Sequence, residues 1–422
     1  MNSHARTARA VEVVTFGCRL NLVESEAMRR AAEAEGRQDL VIVNTCAVTA
    51  EATRQARQAI RRIKRERPDV EIVVTGCAAQ IEPERFADMA EVSVVLGNAE
   101  KSAPASWAHR EGPRHRVDDI MTHRRAHALK VDAIEEHTRA FLAIQNGCDH
   151  RCSFCIIPFG RGPSRSVPMR DVLASVEAFA AKGFHEVVLT GVDLTSYGAD
   201  LQSASREPTL GLLVKEILRT VPRLARLRLS SIDCIEADKD LIEAVAEEKR
   251  LMPHFHLSLQ SGDDIILKRM KRRHLRADAV RLCKELRQLR PDIVFGADLI
   301  AGFPTETEDM FENTLALVEE CGLTHLHVFP FSARPGTPAA RMPAVSPCVI
   351  KERAKRLRTA GEAALHAHLH AQIGKTLSVL TERGGIGRAE DFTPVQIGAL
   401  APGRLIEARI VGTDGRTLRA EV

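Results

Sequence analysis

Short β-branched runs alternate with longer amphipathic stretches along the first hundred residues. Four such runs fit buried strands, at residues 11–16, 40–43, 71–74 and 92–96. The segments between them are long enough for helices, and strands that alternate with helices pair in parallel. The pattern therefore predicts a doubly wound α/β domain over residues 8–105.

The hydrophobic period is lost in the next segment, residues 106–136. This segment is rich in His, Arg, Pro and Gly, and it contains the single tryptophan of the chain, Trp107. Such a composition is typical of irregular structure between domains. We predict a linker here.

A second series of strand and helix patterns covers residues 137–368. Six apolar runs are its predicted strands, at residues 141–144, 186–189, 226–229, 255–259, 293–297 and 325–329. Six βα units are fewer than the eight that close a complete barrel. We therefore predict a partial (βα)6 barrel.

The last fifty residues have a third pattern. Strand-like runs at residues 376–381, 404–411 and 417–422 are separated by the turn dipeptides Gly384-Gly385, Pro402-Gly403 and Asp414-Gly415. Short strands joined by glycine turns favour antiparallel pairing. Residues 371–422 are predicted to form a small antiparallel β-barrel.

Composition narrows the class of protein. No apolar segment approaches the ~20 residues of a membrane helix, and we expect a cytoplasmic protein without a leader. The 10 cysteines are then reduced, as packing residues, metal ligands or reactive thiols. The net charge is only +4, but basic runs at residues 54–67, 268–276 and 351–358 could each contact a polyanion.

The strongest chemical signal is a group of three cysteines within eight residues, which we call the loop triad: Cys148, Cys152 and Cys155. It follows the first predicted strand of the second series. Three thiolates can hold a cluster of four irons and leave one iron without a protein ligand. The alternative is a zinc site, but zinc normally takes four protein ligands.

The spacing of the loop triad, with Phe154 just before its last cysteine, resembles the radical SAM superfamily. The resemblance implies that S-adenosylmethionine (SAM) chelates the open iron and is cleaved to a carbon radical, with Phe154 near its adenine. Ligands of βα folds bind at the carboxyl ends of the strands. The candidates for contact with SAM there are Gly191, Ser258, Gln260, Ser261 and Gly302.

A second group of cysteines, the auxiliary triad, consists of Cys18, Cys46 and Cys77. Each follows a predicted strand of the amino-terminal domain. The carboxyl ends of parallel strands lie along one edge, so the three thiols should converge and could hold a second cluster. The alternative is three unrelated buried cysteines, since free Cys packs as a small hydrophobe.

Both triads together resemble the methylthiotransferases, a radical SAM family. The resemblance includes Gly17-Cys18-Arg19-Leu20-Asn21, Asn44-Thr45-Cys46, Gly76-Cys77 and residues 161–166. It implies two 4Fe-4S clusters and SAM as cofactors, with sulfur at the auxiliary triad methylated by a second SAM. It also implies a carboxyl-terminal RNA-binding module called TRAM, with tRNA, an external electron donor and a sulfur donor as partners. The oligomeric state is not indicated.

Residues 47–52, the following arginines and residues 327–331 resemble the group that methylthiolates carbon 2 of N6-threonylcarbamoyladenosine at tRNA position 37. That nucleoside carries a carboxylate, for which Arg334 is the candidate ligand. Isopentenyladenosine in tRNA and an aspartate of a small-subunit ribosomal protein are the alternative substrates. A non-catalytic RNA-binding iron-sulfur protein is the alternative from another class.

Overall fold

The computed structural model describes residues 10–108, 112–124, 137–201 and 207–422. These residues form two compact units. The first holds the described residues up to 124 together with Asn146–Arg151 and Cys155–Arg165; the second holds residues 137–145, Cys152–Phe154 and, as far as they are described, Ser166–Val422. Within the described ranges, no helix combines the length and apolar composition that crossing a membrane requires.

The first unit is built on five parallel strands that neighbour one another in chain order. Alternate residues of the central strands enter different apolar clusters, for example Val41 one cluster and Ile42 the other, so both faces of the sheet are covered. This confirms the predicted doubly wound domain. The strands are β1 Glu12–Thr15, β2 Leu40–Thr45, β3 Glu71–Gly76, β4 Val94–Leu96 and β5 His115–Arg116; the helices are α1 Arg19–Ala34, α2 Ala50–Glu66, α3 Cys77–Ile81, α4 Pro83–Ala87 and α5 Ile157–Arg161.

Part of the predicted linker is structured. Strand β5 pairs with β4 and extends the sheet. Trp107 is buried, its indole N–H donates to the Lys101 carbonyl at 3.0 Å, and its own carbonyl accepts from Arg37. A two-residue strand is too short to give a hydrophobic period, which is why the sequence pattern missed it. Residues 109–111 and 125–136 of the predicted linker lie outside the described residues.

The second unit contains the predicted partial barrel. Strands β6, β9 and β10 form one parallel sheet, and β11 to β14 form another. Only Ser230 separates β10 from β11, so the two sheets give six parallel positions in chain order, which confirms the predicted architecture. The strands are β6 Ala140–Ala143, β9 Glu186–Thr190, β10 Arg226–Leu229, β11 Ser231–Ile232, β12 His254–Gln260, β13 Val294–Ala301 and β14 Leu323–Pro330, with short strands β7 Gln145–Asn146 and β8 Arg165–Ser166 where the chain passes between units.

Polar caps begin four of the helices that cover this barrel. Thr209, Asp238, Asp263 and Thr307 each precede a helix and accept hydrogen bonds from backbone N–H groups of its first turn. Such caps satisfy donors that have no partner within the helix. The helices are α6 Met169–Ala181, α7 Leu210–Thr220, α8 Lys239–Glu247, α9 Asp264–Arg269, α10 Arg276–Leu289, α11 Glu308–Glu320 and α12 Pro347–His370.

The carboxyl-terminal residues form the predicted small barrel, which is closed. Its core includes Val379, Val395 and Leu418. The sequence pattern missed two short strands, β16 and β17, and β17 pairs with β19 in parallel, so the barrel is not wholly antiparallel. The strands are β15 Thr376–Thr381, β16 Ile386–Ala389, β17 Pro394–Gln396, β18 Leu405–Thr413 and β19 Leu418–Glu421.

Candidate active site

The auxiliary triad lies at one edge of the first unit's sheet. Cys18 is the N-cap of α1, Cys46 directly follows β2, and Cys77 is the first residue of α3. Gly17, at φ +106°, packs against Cys46 so closely that a Cβ on residue 17 would lie 3.1 Å from the Cys46 Sγ. The glycine therefore provides both the left-handed turn and the space beside the thiol.

The thiol of Cys46 is buried and interacts electrostatically with the other two cysteines of the auxiliary triad. Burial, together with negative charge on Cys77 and Cys18, raises the pKa of Cys46 to about 11. Three mutually repelling thiolates are stabilised when a cation binds between them. The donor set thus fits an iron-sulfur cluster better than it fits an apolar core.

A buried arginine contacts the auxiliary triad. The Arg161 Nε donates to the Cys77 Sγ at 3.0 Å, and its other nitrogens donate to Glu24 and Asn21. Glu24 also accepts from Lys101 at 2.7 Å. Burial opposes ionisation of Glu24, but Arg161 and Lys101 hold its pKa down at about 2.

This network was not predicted from the sequence. Arg161, Glu24 and Lys101 are all buried, and buried charges need partners that offset their desolvation. Here the Glu24 carboxylate forms ion pairs with both Lys101 and Arg161. Arg161 also donates to the sulfur of Cys77. The network can compensate negative charge on the thiolates.

The loop triad lies in the stretch from Cys148 to Cys155, and its three side chains are partly exposed. Backbone contacts shape the start of the loop: the Cys148 N–H donates to the Gly162 carbonyl at 3.1 Å. Gly147, at φ +77°, is required because a Cβ there would lie 1.9 Å from the Pro163 carbonyl oxygen.

The middle of the loop is anchored within the second unit. The Ser153 hydroxyl donates to the Arg269 carbonyl at 2.7 Å, and the Ser153 N–H donates to the Met270 carbonyl. The Arg272 guanidinium lies 3.7 Å from the Cys152 Sγ, while it also donates to the Asp233 carboxylate at 2.7 Å. In each triad, therefore, one cysteine is contacted by an arginine. The two arginines are different residues, and each also donates to a buried carboxylate.

Phe154 packs in an apolar cluster at the carboxyl end of the barrel strands. Its ring meets Phe303 edge to face at 6.5 Å, and Ile300 and Met270 belong to the same cluster. Gly302, at φ +75°, leaves room for Ile350, and its N–H donates to Glu306 at 2.9 Å. These residues could form an apolar wall for a purine.

The other candidates for SAM contact occupy the same strand ends in different ways. Gln260 has φ +68°, a strained conformation for a side-chain-bearing residue that is often found at functional sites. The Ser258 carbonyl accepts a hydrogen bond from Arg272. The Ser261 hydroxyl forms a hydrogen bond with the Thr314 hydroxyl. A Cβ on Gly191 would lie 2.8 Å from the Gln145 Oε1, which accepts from two N–H groups of that loop. Gln145 was not among the predicted residues.

Arg334 follows β14 and is buried, with a side chain that has little access to solvent. Its Nε has no hydrogen-bond partner among the described residues, and no carboxylate of the described chain lies within salt-bridge distance of it. A buried guanidinium of this kind is costly without an anion. Arg334 can therefore bind an anionic ligand.

Comparisons with known proteins agree with this architecture. Residues 142–318 match the Radical SAM superfamily, and residues 10–97 match the Uncharacterized protein family UPF0004. The chain is 49% identical over 404 residues to "Threonylcarbamoyladenosine tRNA methylthiotransferase MtaB" of Rickettsia prowazekii (strain Madrid E), covering 96% of this chain and 95% of the relative. It is 33% identical over 450 residues to a "tRNA-2-methylthio-N(6)-dimethylallyladenosine synthase" of Cereibacter sphaeroides (strain ATCC 17025 / ATH 2.4.3), covering 98% of each chain.

A solved structure with a similar fold is that of TsrM from Kitasatospora setae, titled a radical S-adenosylmethionine methyltransferase. The TM-score is 0.55 at 19% identity, over 79% of this chain and 75% of that chain. A likeness at this level of identity shows the fold alone.

The partial barrel, its cysteine loop and the superfamily match define a radical SAM enzyme. Within that class, the chain belongs to the family of MtaB-type tRNA methylthiotransferases, because the Rickettsia relative matches it along nearly its whole length. The predicted enzyme class is confirmed, as are the predicted cofactors of the family, SAM and 4Fe-4S clusters.

Proposed function

We propose that this enzyme adds a methylthio group to carbon 2 of N6-threonylcarbamoyladenosine at position 37 of tRNA, in the cytoplasm. The observation that carries the choice of substrate is the 49% identity to a threonylcarbamoyladenosine enzyme, against 33% to the dimethylallyladenosine synthase. An external electron donor and a sulfur donor complete the reaction.

The loop triad, Cys148, Cys152 and Cys155, is assigned to the cluster that serves SAM. A 4Fe-4S cluster bound there supplies an open iron for SAM and the electron that cleaves it. Arg272 offsets the negative charge of Cys152, which it approaches to 3.7 Å. Phe154 and Gly302 border the adenine, and Gly191, Ser258, Gln260 and Ser261 line the rest of the SAM site.

The auxiliary triad, Cys18, Cys46 and Cys77, is assigned to the second cluster, which supplies the sulfur that is transferred. Arg161 supports this role, since its guanidinium donates to the Cys77 Sγ and so places a positive charge beside a sulfur that would bind the cluster. The hydrogen-bonded Glu24 keeps Arg161 in that orientation.

Arg334 is assigned to the carboxylate of the threonylcarbamoyl group. Its guanidinium is buried, and its Nε lacks a partner among the described residues. A guanidinium binds a carboxylate through two parallel hydrogen bonds. An isopentenyl group is uncharged, so it cannot form an ion pair with this arginine.

Two surfaces are assigned to tRNA. The carboxyl-terminal barrel, residues 371–422, is taken as the TRAM module because it closes into a small five-stranded barrel at the position that the family resemblance implies. Helix α2 buries Ile60 and Ile63 and exposes Arg54, Arg61 and Arg62, a basic face that can meet phosphates.

The test offers the anaerobically reconstituted enzyme three tRNAs under reducing conditions, bearing threonylcarbamoyladenosine, isopentenyladenosine or unmodified adenosine at position 37. We expect mass spectrometry to find added methylthio on the first tRNA only. Turnover of isopentenyl tRNA alone would refute the assignment, and modification of a small-subunit ribosomal protein instead would replace it. A preparation that forms no 5'-deoxyadenosine would be a non-catalytic iron-sulfur protein.

A further inference from the structure

Three adjacent barrel strands place a hydrogen-bonded group of polar side chains on one face of their sheet. The Asp298 Oδ1 lies 2.9 Å from the His256 Nε2 and 3.2 Å from the His327 Nδ1. Asp298 and His327 are direct register partners on β13 and β14, and the two imidazole rings lie 4.5 Å apart. The strands themselves therefore fix the geometry of the group.

A glycine makes this arrangement possible. His256 is the register partner of Gly296, and a Cβ on Gly296 would lie 2.5 Å from the His256 Nδ1. The His256 ring therefore lies over the glycine and reaches across to Asp298 on the same strand. Any larger residue at 296 would displace the ring, so the site is built into the backbone of β13.

The group lies on the inner face of the barrel. Leu326 packs against Gly361 of α12, so it points to the outer, helix-covered face. His327 and Phe329 are its odd-numbered neighbours, and side chains alternate along a strand. The His327 side chain is nevertheless 64% exposed and Phe329 is 37% exposed. Strand residues inside a barrel normally fill its interior, so this part of the inner face has room for a ligand.

The chemistry of His327 follows from its partner. Burial opposes ionisation of Asp298, but its bonds to His256 and His327 hold its pKa at about 2, so it is a carboxylate. A carboxylate only accepts hydrogen bonds, so the His327 Nδ1 carries the proton that it donates. In neutral His327, the Nε2 is then an acceptor.

We propose that His327 and Phe329 bind the substituted adenine, with the His327 Nε2 accepting a hydrogen bond from the threonyl hydroxyl and Phe329 stacking on the purine. The inference rests on the proposed function and deepens it. Unpaired bases are commonly bound by aromatic stacking. A site that hydrogen-bonds a substrate hydroxyl rejects an analogue that lacks it, because the acceptor loses its partner.

The experiment compares two tRNAs that differ only at this hydroxyl-bearing group. One carries N6-threonylcarbamoyladenosine and the other N6-glycylcarbamoyladenosine, which keeps the carboxylate but lacks the hydroxyethyl side chain. For the reconstituted wild-type enzyme we expect kcat/KM to favour the threonyl tRNA by roughly tenfold or more. His327→Phe should reduce this preference to about twofold, mainly through loss of activity on the threonyl tRNA.

Controls separate recognition from folding. His370→Phe makes the same change at an exposed histidine of α12 and should keep the wild-type preference. Iron content and 5'-deoxyadenosine formation without tRNA should match the wild type in both variants. If His327→Phe loses iron, His327→Leu is tested in its place. Phe329→Leu should weaken binding of both tRNAs equally, measured as Kd without SAM.

Two outcomes would overturn the proposal. The first is an unchanged preference in His327→Phe when activity on both tRNAs falls together. The second is a stoichiometric non-iron metal in the wild type that disappears in His327→Phe, because the three side chains would then be metal ligands. Failure of the wild type to modify threonylcarbamoyl tRNA at all would instead refute the proposed function.

Discussion

Replacing Arg161 with methionine tests the buried network beside the auxiliary triad. The change keeps much of the side-chain volume but removes the cation that contacts Cys77, Glu24 and Asn21. Removing one partner of a buried ion pair costs about 3–5 kcal/mol. Glu24 keeps Lys101 at 2.7 Å, so we expect the lower end, a loss of about 3 kcal/mol in the free energy of unfolding.

The same change should alter the cluster. Loss of a positive charge beside a thiolate ligand makes an added electron less favourable, so the reduction potential of the auxiliary cluster should fall. Glu24→Gln changes the charge in the opposite direction and should raise the potential. Urea unfolding and an anaerobic redox titration followed by electron paramagnetic resonance measure the two effects.

Two further variants make the test specific. Arg161→Lys retains the charge but not the planar donor set, and it should restore the potential more fully than the stability. Arg54→Met removes an exposed arginine that pairs with Glu51 and should leave both quantities within error. If Arg161→Met and Glu24→Gln moved the potential in the same direction, the network would have only a structural role.

Three more predictions concern the clusters and the barrel interior. Anaerobic reconstitution should give about eight irons per chain, and alanine at all three positions of either triad should halve that count; saturation near four irons in the wild type would remove the auxiliary site. The alanine variant of the auxiliary triad should still form 5'-deoxyadenosine but no methylthio product, whereas Cys148→Ala should form neither. Burial lowers the pKa of His325 to about 4 from an ordinary 6.5. The free energy of unfolding should therefore keep the full contribution of neutral His325 above pH 6.5 and lose at most about 3 kcal/mol of it as the pH falls towards 4. A His325→Phe variant whose urea midpoints show the same pH profile as the wild type would contradict this.

The sequence predicted the parallel strands well because such strands are buried on both faces. All six residues of β2 are buried, and the first four form an unbroken apolar run. The same reasoning placed Cys46 and Cys77 at strand ends, because a strand's end is visible in the pattern. Strand β5 was missed because a strand of two residues is too short to show an alternating hydrophobic pattern.

The network around the auxiliary triad could not be predicted in the same way. Arg161 is separated by 84 residues from Cys77 and by 137 from Glu24. Residues so far apart in the chain form no local motif. Charged side chains are also mostly exposed in proteins, so the sequence alone would place them at the surface. Only the tertiary fold brings these charges together, which is why their partners were absent from the predicted site.

The polar residues inside the barrel were also not recognisable from the sequence pattern. On β12, Phe255, Leu257 and Leu259 alternate with His254, His256 and Ser258, a pattern that would equally suit a strand with one face in water. Polar side chains inside a barrel need partners. His254 stacks on Phe392, and His256 bonds to Asp298.

Towards the carboxyl ends of the strands, this pairing is incomplete. His327 and Phe329 remain exposed on β14, and the buried Arg334 keeps an Nε without a partner among the described residues. A buried polar group that lacks a partner costs free energy, and such a cost is retained where a ligand removes it. For Arg334 that ligand is the carboxylate of the proposed substrate, while the exposed His327 and Phe329 lie on a strand end where its hydroxyl and purine can bind.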